Sequence, residues 1–177
     1  MSPGLALLRT LRAVTSETWV PISDPATGTS FTLPARVSAQ QRTQSGVAQR
    51  IYQYEMTKQS IVSVSFVRTP SAAAATALLR LYPQQLAASF RGLGVDDAAV
   101  SEQSPGRLAG LPAMSFRFAF TPTTVPQIKP VWLATAVASG ATVVLLQSIV
   151  FPPSNEYDLV PLVRRAQEQL VGSFRAG

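Results

Sequence analysis

Two long apolar segments near the C-terminus constrain the fold more than any other part of the sequence. They are Val131–Ala138 and Ala141–Phe151, and the dipeptide Ser139–Gly140 between them is typical of a tight β-hairpin turn. Both segments are apolar on both faces over much of their length, which is typical of strands in the middle of a sheet. The sequence therefore predicts a sheet that carries helices on its faces.

The remaining periodicities predict an α+β fold with an antiparallel sheet of about six strands. Helical spacing of apolar residues indicates helices over Ala72–Leu93 and Tyr157–Arg175, and a linker is expected over Val95–Pro112. Alternation indicates four strands besides the hairpin: Ser30–Val37, Arg50–Lys58, Ile61–Arg68 and Ala113–Thr121. Runs of strands separated by long helices are typical of α+β sandwiches.

The composition argues against an enzyme. The chain has no cysteine and no histidine, which excludes thiol nucleophiles, Ser–His–Asp arrangements and the common zinc, haem and iron–sulfur ligand sets. The acidic pair Asp96–Asp97 lacks the ligand spacing of a calcium loop, and a solvated loop is the ordinary interpretation. We therefore expect a non-catalytic protein with no metal and no other cofactor.

The charge favours an anionic partner. Thirteen arginines and two lysines face nine acidic residues, giving a net charge of +6. The arginines are scattered, and no Lys/Arg run with interleaved aromatic residues appears, so we expect no binding to nucleic acid. An anionic lipid surface or an integral membrane-protein complex is the expected partner.

Residues 1–17 form a basic amphipathic segment ahead of a single domain expected over residues 18–177. Leu8 and Leu11 share one side of a helical wheel, while Arg9 and Arg12 lie on the other. One interpretation is a docking tether, with the leucines buried in a membrane surface and the arginines at anionic groups. The alternative is a frayed tail or a helix packed on its own domain.

Four further residues are candidates for binding a partner or a membrane. Trp19 and Trp132 are candidates because amphipathic tryptophans at a surface often anchor interfaces. Arg164 and Arg165 make a modest basic patch on the C-terminal helix, for which a solvated helix face is the alternative.

Several turn signatures resemble those of PsbP-like domains over roughly residues 18 to 175. They are an early tryptophan followed by an aspartate, the string SFTLP that opens the first predicted strand, the turn Leu108–Ala113, and the ending Ser173–Arg175. The resemblance implies an α/β/α sandwich and a non-catalytic module that docks on a larger assembly, commonly at a membrane surface. The lipid-bearing cysteine of the envelope members of that family is missing here.

We therefore expect a structural accessory subunit that docks peripherally on a membrane-protein complex, photosynthetic or respiratory. The cytoplasmic side is favoured because no signal peptide or lipid-attachment motif is visible, and a periplasmic or lumenal location is the alternative if the true start lies upstream. The competing function is a soluble or envelope carrier that binds a lipid or other apolar ligand between sheet and helix.

Overall fold

The computed structural model describes residues 1–44 and 46–177, which form three α-helices and nine β-strands. This confirms the predicted α+β class. The helices are α1 (Pro3–Ser16), α2 (Ala72–Gly92) and α3 (Val160–Ser173). The strands are β1 (Val20–Ser23), β2 (Ser30–Leu33), β3 (Gln40–Gln44), β4 (Val47–Thr57), β5 (Ser60–Arg68), β6 (Ala99–Leu108), β7 (Leu111–Ala119), β8 (Val131–Ser139) and β9 (Thr142–Val150).

Seven strands form one antiparallel sheet in the order β3-β4-β5-β9-β8-β7-β6, and β1 pairs with β2 in a separate hairpin. The predicted apolar hairpin is β8–β9, which lies inside the sheet between β5 and β7. Its register runs from Val131 opposite Val150 to Ser139 opposite Thr142. Gly140 closes the turn with φ +57°, a left-handed conformation that a glycine adopts without strain.

Helices cover both faces of the sheet, as the apolar composition of β8 and β9 requires. On β8, Ala134 and Ala136 face α2, whereas Leu133 and Val137 face the opposite layer. That opposite layer consists of α1, α3 and the β1–β2 hairpin. The result is a three-layer arrangement with the sheet in the middle.

The main sheet has seven strands where about six were expected, because β3 and β6 were not predicted and the strand expected over Ser30–Val37 lies outside it. β6 occupies the region predicted as a linker. Nearly every residue of β6 is exposed, so its sequence lacks the alternation by which a half-buried strand is identified. It is an edge strand, where Pro105 is tolerated, and a bulge between Ser101 and Ser104 places Glu102 at φ +52°. These features protect the edge from pairing with another chain.

β1 and β3, which have four and five residues, also lack a clear pattern in the sequence. The strand expected over Ser30–Val37 ends at Leu33, before Pro34, and belongs to the small β1–β2 hairpin instead of the main sheet. Local alternation identifies the strand itself but carries no information about which partner it pairs with.

The N-terminal segment is a helix packed on its own domain, the alternative to the docking tether. Leu8 is 8% exposed and Leu11 is 0% exposed, and both belong to the core beneath α1 and α3. The helices α1 and α3 run in the same direction. Ser2 donates to Glu156 just ahead of α3, and Gln169 in α3 donates to the carbonyl of Glu17 just after α1.

Candidate functional site

Three of the residues predicted to contact a partner are buried inside the domain, which corrects that prediction. Leu8 and Leu11 are covered by the core, so they cannot enter a membrane while α1 stays packed. Trp19 is 5% exposed, and its indole Nε1 donates to the carbonyl of Val14 at 2.9 Å. This tryptophan fixes the turn from α1 into β1, and its polar atom is already satisfied.

The second tryptophan, Trp132, packs under the C-terminal half of α2. Its ring lies 5.1 Å from that of Phe118 and 5.8 Å from that of Phe90. Its Nε1 donates to Oε1 of Gln147 at 2.8 Å. Although Trp132 is half-buried, its edge-on aromatic contacts and satisfied donor are those of a core residue.

The predicted arginines separate into two groups. Arg164 donates to both carboxylate oxygens of Glu102, at 2.8 and 2.7 Å, and this hydrogen bond is the main cause that lowers the pKa of Glu102. Arg165 is exposed on α3, and Arg9 and Arg12 are exposed on α1. Docking through these three exposed arginines of the helical layer stays a prediction.

The sheet brings together four arginines that are far apart in the sequence. Arg42 on β3 and Arg107 on β6 lie on one row across the sheet. Relative to this row, Arg68 on β5 is one residue closer to the end of the strands, and Arg50 on β4 is one residue farther from it. Register pairs carry this row from Gln49 through Val67 and Val143 to Ala138. Ala138 follows Val137, the partner of Ala113, so the row continues at Pro112, which pairs with Arg107. We call this end of the strands the arginine end. It crosses all seven strands, six inter-strand spacings or roughly 29 Å.

Acidic residues concentrate at the opposite end of the sheet. Glu55 lies near the end of β4, Asp96 and Asp97 precede β6, and Glu156 and Asp158 precede α3. Lys58 and Lys129 lie at that end as well, so it carries both signs of charge, whereas the arginine end carries an excess of arginine that the scattered arginines of the sequence do not reveal. The signal that would have revealed it is hairpin register, because residues equally distant from a turn lie side by side.

A buried carboxylate anchors the arginine end. Asp24, in the loop of the β1–β2 hairpin, is 0% exposed and pairs side-on with Arg50: Nε donates to Oδ1 at 2.8 Å and Nη2 to Oδ2 at 2.6 Å. The hydroxyl of Tyr52 donates to Oδ1 at 2.8 Å, and that of Thr27 to Oδ2 at 2.6 Å. The cluster ties the small hairpin to β4.

These contacts determine the charge states. Burial by itself would raise the pKa of Asp24, but hydrogen bonds from Arg50, Thr27 and Tyr52 outweigh burial and hold that pKa below its ordinary value. Burial, together with the hydrogen bond to Asp24, raises the pKa of Tyr52. The cluster is therefore an ionised carboxylate, a guanidinium and a neutral phenol at neutral pH.

A cavity of about 210 Å³ opens beside this cluster. Its floor is the sheet surface formed by Arg50, Phe66, Arg68 and Thr142, and the hairpin loop at Thr27 borders it. We call it the arginine pocket. Phe66 is directly opposite Arg50 on the neighbouring strand, with the guanidinium carbon 4.9 Å from the ring centre.

A larger groove lies on the other face of the sheet, beside α2. Its volume is about 440 Å³, and its walls are mainly apolar. Burial raises the pKa of Tyr82, which lines the groove, to about 12, so its hydroxyl stays protonated. The lining side chains from α2 and the sheet include Gln49, Val67, Leu78, Tyr82, Leu86 and Leu145. We call it the α2 groove.

Compared with known proteins, the chain matches no family model and no curated sequence. None of the helices formed by residues 1–44 and 46–177 combines the length and apolarity needed to cross a bilayer.

Proposed function

We propose that this chain is a non-catalytic docking subunit that binds an anionic membrane surface peripherally, through its arginine end. The observation that carries the proposal is the position of Arg42, Arg50, Arg68 and Arg107 at one end of the strands of the sheet. The carboxylate beside them, Asp24, is already neutralised by Arg50. The arginine end therefore presents an excess of positive charge to a partner.

The size of the arginine end suits a surface better than a small ligand. It spans roughly 29 Å, far more than one small ligand needs. A basic residue near an anionic membrane contributes about 1 kcal/mol, so several together give useful affinity without an inserted helix. Docking beside an integral membrane-protein complex, as the PsbP-like resemblance implies, places the arginine end against the lipid around that complex.

Charge reversal at the arginine end tests the proposal. We expect the double variant Arg42→Glu/Arg107→Glu to bind anionic vesicles at least thirty-fold more weakly, because about 2 kcal/mol of attraction is lost and repulsion is added. Arg42 donates to the side chain of Gln40, and Arg107 donates to the carbonyl of Gly110 in the exposed β6–β7 turn. Because these contacts are exposed and outside the Asp24 cluster, we expect the fold to be retained. Co-sedimentation with phosphatidylserine-containing vesicles at low and moderate salt measures the effect, and wild-type binding should weaken with salt.

The matched control is Lys58→Glu/Lys129→Glu, which changes the net charge by the same amount at the opposite end of the sheet. It should bind nearly as well as the wild type. A second comparison uses Arg9→Glu/Arg12→Glu on α1. If that variant loses binding while Arg42→Glu/Arg107→Glu keeps it, docking occurs through the helical layer and the arginine end is excluded.

A second candidate function, carriage of an apolar ligand between sheet and helix, is favoured by the α2 groove. Its volume of about 440 Å³ lies within the range of small-molecule sites, and the side chains that face it from α2 are uncharged. We propose a neutral lipid as the ligand, because the walls are mainly apolar and Arg68, the one charged residue among the described lining residues, is the last residue of β5.

Blocking the α2 groove tests this second candidate. Ser89 lines the groove and is exposed, so Ser89→Trp should fill it and abolish binding of a neutral fluorescent lipid analogue. Ala77 is exposed on the same helix outside the lining, and Ala77→Trp should bind like the wild type. Fluorescence titration measures both variants, and native mass spectrometry shows whether purified protein carries an adduct. Equal binding by the two variants would rule out the groove.

A further inference from the structure

The arginine pocket contains a guanidinium that is held in place before any ligand arrives. Asp24 binds Arg50 side-on through Nε and Nη2, at 2.8 and 2.6 Å. The guanidinium carbon lies over the ring of Phe66, 4.9 Å from its centre. Among the described residues Nη1 has no hydrogen-bond partner, and the Arg50 side chain is 22% exposed. Three of the five N–H donors, two on Nη1 and one on Nη2, are therefore left for a ligand, in an orientation that needs no further ordering.

A second cation lies on the same side of the sheet. Phe66 and Arg68 are two residues apart on β5 and therefore face the same way. Because Arg50 pairs with Phe66, Arg68 is its diagonal neighbour, at a distance that long side chains bridge. Thr142, directly opposite Arg68 on β9, adds a hydroxyl to the pocket.

The charge of the arginine pocket is positive. Two arginines and one carboxylate give a net charge of +1, and the carboxylate oxygens of Asp24 are already occupied by Arg50, Tyr52 and Thr27. In the described residues no carboxylate other than Asp24 forms an ion pair with Arg50 or Arg68. An anion that enters is therefore attracted by two guanidinium groups and is shielded from Asp24.

We propose that the arginine pocket binds the phosphomonoester headgroup of an anionic lipid. A terminal phosphate offers three oxygens, which match donors arriving from Nη1 of Arg50, from Arg68 and from the Thr142 hydroxyl. The cavity of about 210 Å³ accommodates such a group. This assignment rests on the proposed docking function: the arginine end supplies general attraction, and the pocket selects the headgroup.

The test compares two vesicle compositions of equal surface potential, phosphatidylcholine with phosphatidic acid and phosphatidylcholine with phosphatidylserine. We expect the wild type to bind the phosphatidic acid vesicles about ten-fold more tightly, because bidentate phosphate contacts add to the shared electrostatic attraction. Arg68→Lys keeps the charge but loses the planar fork, so the ratio of its affinities for the two kinds of vesicle should fall to about one. Arg80→Lys, on the exposed side of α2, is the matched control and should keep the preference.

The outcomes separate the pocket from the docking surface. Equal binding of the wild type to both vesicles overturns the phosphate assignment and leaves docking intact, whereas binding to neither overturns both. A preference that survives in Arg68→Lys also overturns the assignment. Titration with soluble dihexanoyl phosphatidic acid and with inorganic phosphate, followed by NMR of the Thr142 amide, identifies the source. If inorganic phosphate binds as tightly as the short-chain lipid, the headgroup assignment is overturned in favour of free phosphate.

Discussion

Arg50→Met is expected to lower the free energy of unfolding by about 3–5 kcal/mol, because it leaves a buried carboxylate without its charged partner. The variant leaves the carboxylate of Asp24 at 0% exposure without its guanidinium partner. Methionine replaces the aliphatic part of the side chain over Phe66, so the loss reports mainly on the unpaired charge. Urea unfolding followed by tryptophan fluorescence measures the change.

Two controls separate the ion pair from a general effect of removing arginine. Arg42→Met removes an exposed arginine from the neighbouring strand β3 and should change stability by no more than about 0.5 kcal/mol. The double variant Asp24→Asn/Arg50→Met removes both charges and should recover part of the loss, because an uncharged amide is cheaper to bury than a carboxylate. A loss in Arg50→Met no larger than in Arg42→Met would contradict the proposed role of the cluster.

The same cluster predicts how stability depends on pH. The pKa of Asp24 in the folded protein lies below its ordinary value of 3.8, so the folded state binds this proton less readily than the unfolded state. Its contribution is therefore fully present above that ordinary value, and it is lost as the pH falls through the lowered value. We expect Asp24→Asn to be less stable than the wild type at pH 7 and to lose less stability between pH 5 and acid, because the slope falls by the share of one proton that Asp24 contributes.

The elements that can be predicted from this sequence are those whose composition shows which of their faces must be buried. β8 and β9 are apolar on both faces, and that property requires a central position whatever surrounds them. β6 has the opposite character: its residues are exposed, and only pairing with β7 keeps it extended. Propensity and alternation contain no information about such an edge strand, because its stability comes from hydrogen bonds to a partner 10 or so residues away.

The site is less predictable than the fold, for a related reason. Asp24 and Arg50 are 26 positions apart, and Arg42 and Arg107 lie at opposite edges of the sheet. The contact of the first pair, and the position of the second pair at the same end of the strands, depend on pairing register, which a single sequence does not show for non-adjacent strands. The amphipathic pattern of α1 was visible, but an apolar helix face is equally compatible with a membrane and with the domain's own core. Which of the two receives α1 depends on whether the rest of the domain leaves an apolar surface on which the helix can pack.

The packing of α1 leads to the second large prediction, that Leu11→Ala lowers the free energy of unfolding by about 2–5 kcal/mol. Leu11 is 0% exposed in the core shared by α1 and α3, so the truncation removes buried methyl groups and leaves a cavity. Alanine has the higher helix propensity, so weakened helix formation cannot account for a loss. Urea unfolding at neutral pH measures it.

Leu81→Ala is the matched control, since it makes the same substitution inside a helix at a position that is 53% exposed. We expect it to change stability by no more than about 0.5 kcal/mol. If both variants were equally stable, α1 would not be held by the domain, and Leu8 and Leu11 would again be free to enter a membrane. A much larger loss of stability in Leu11→Ala than in Leu81→Ala means that α1 belongs to the core. Any docking by α1 then has to use its exposed arginines.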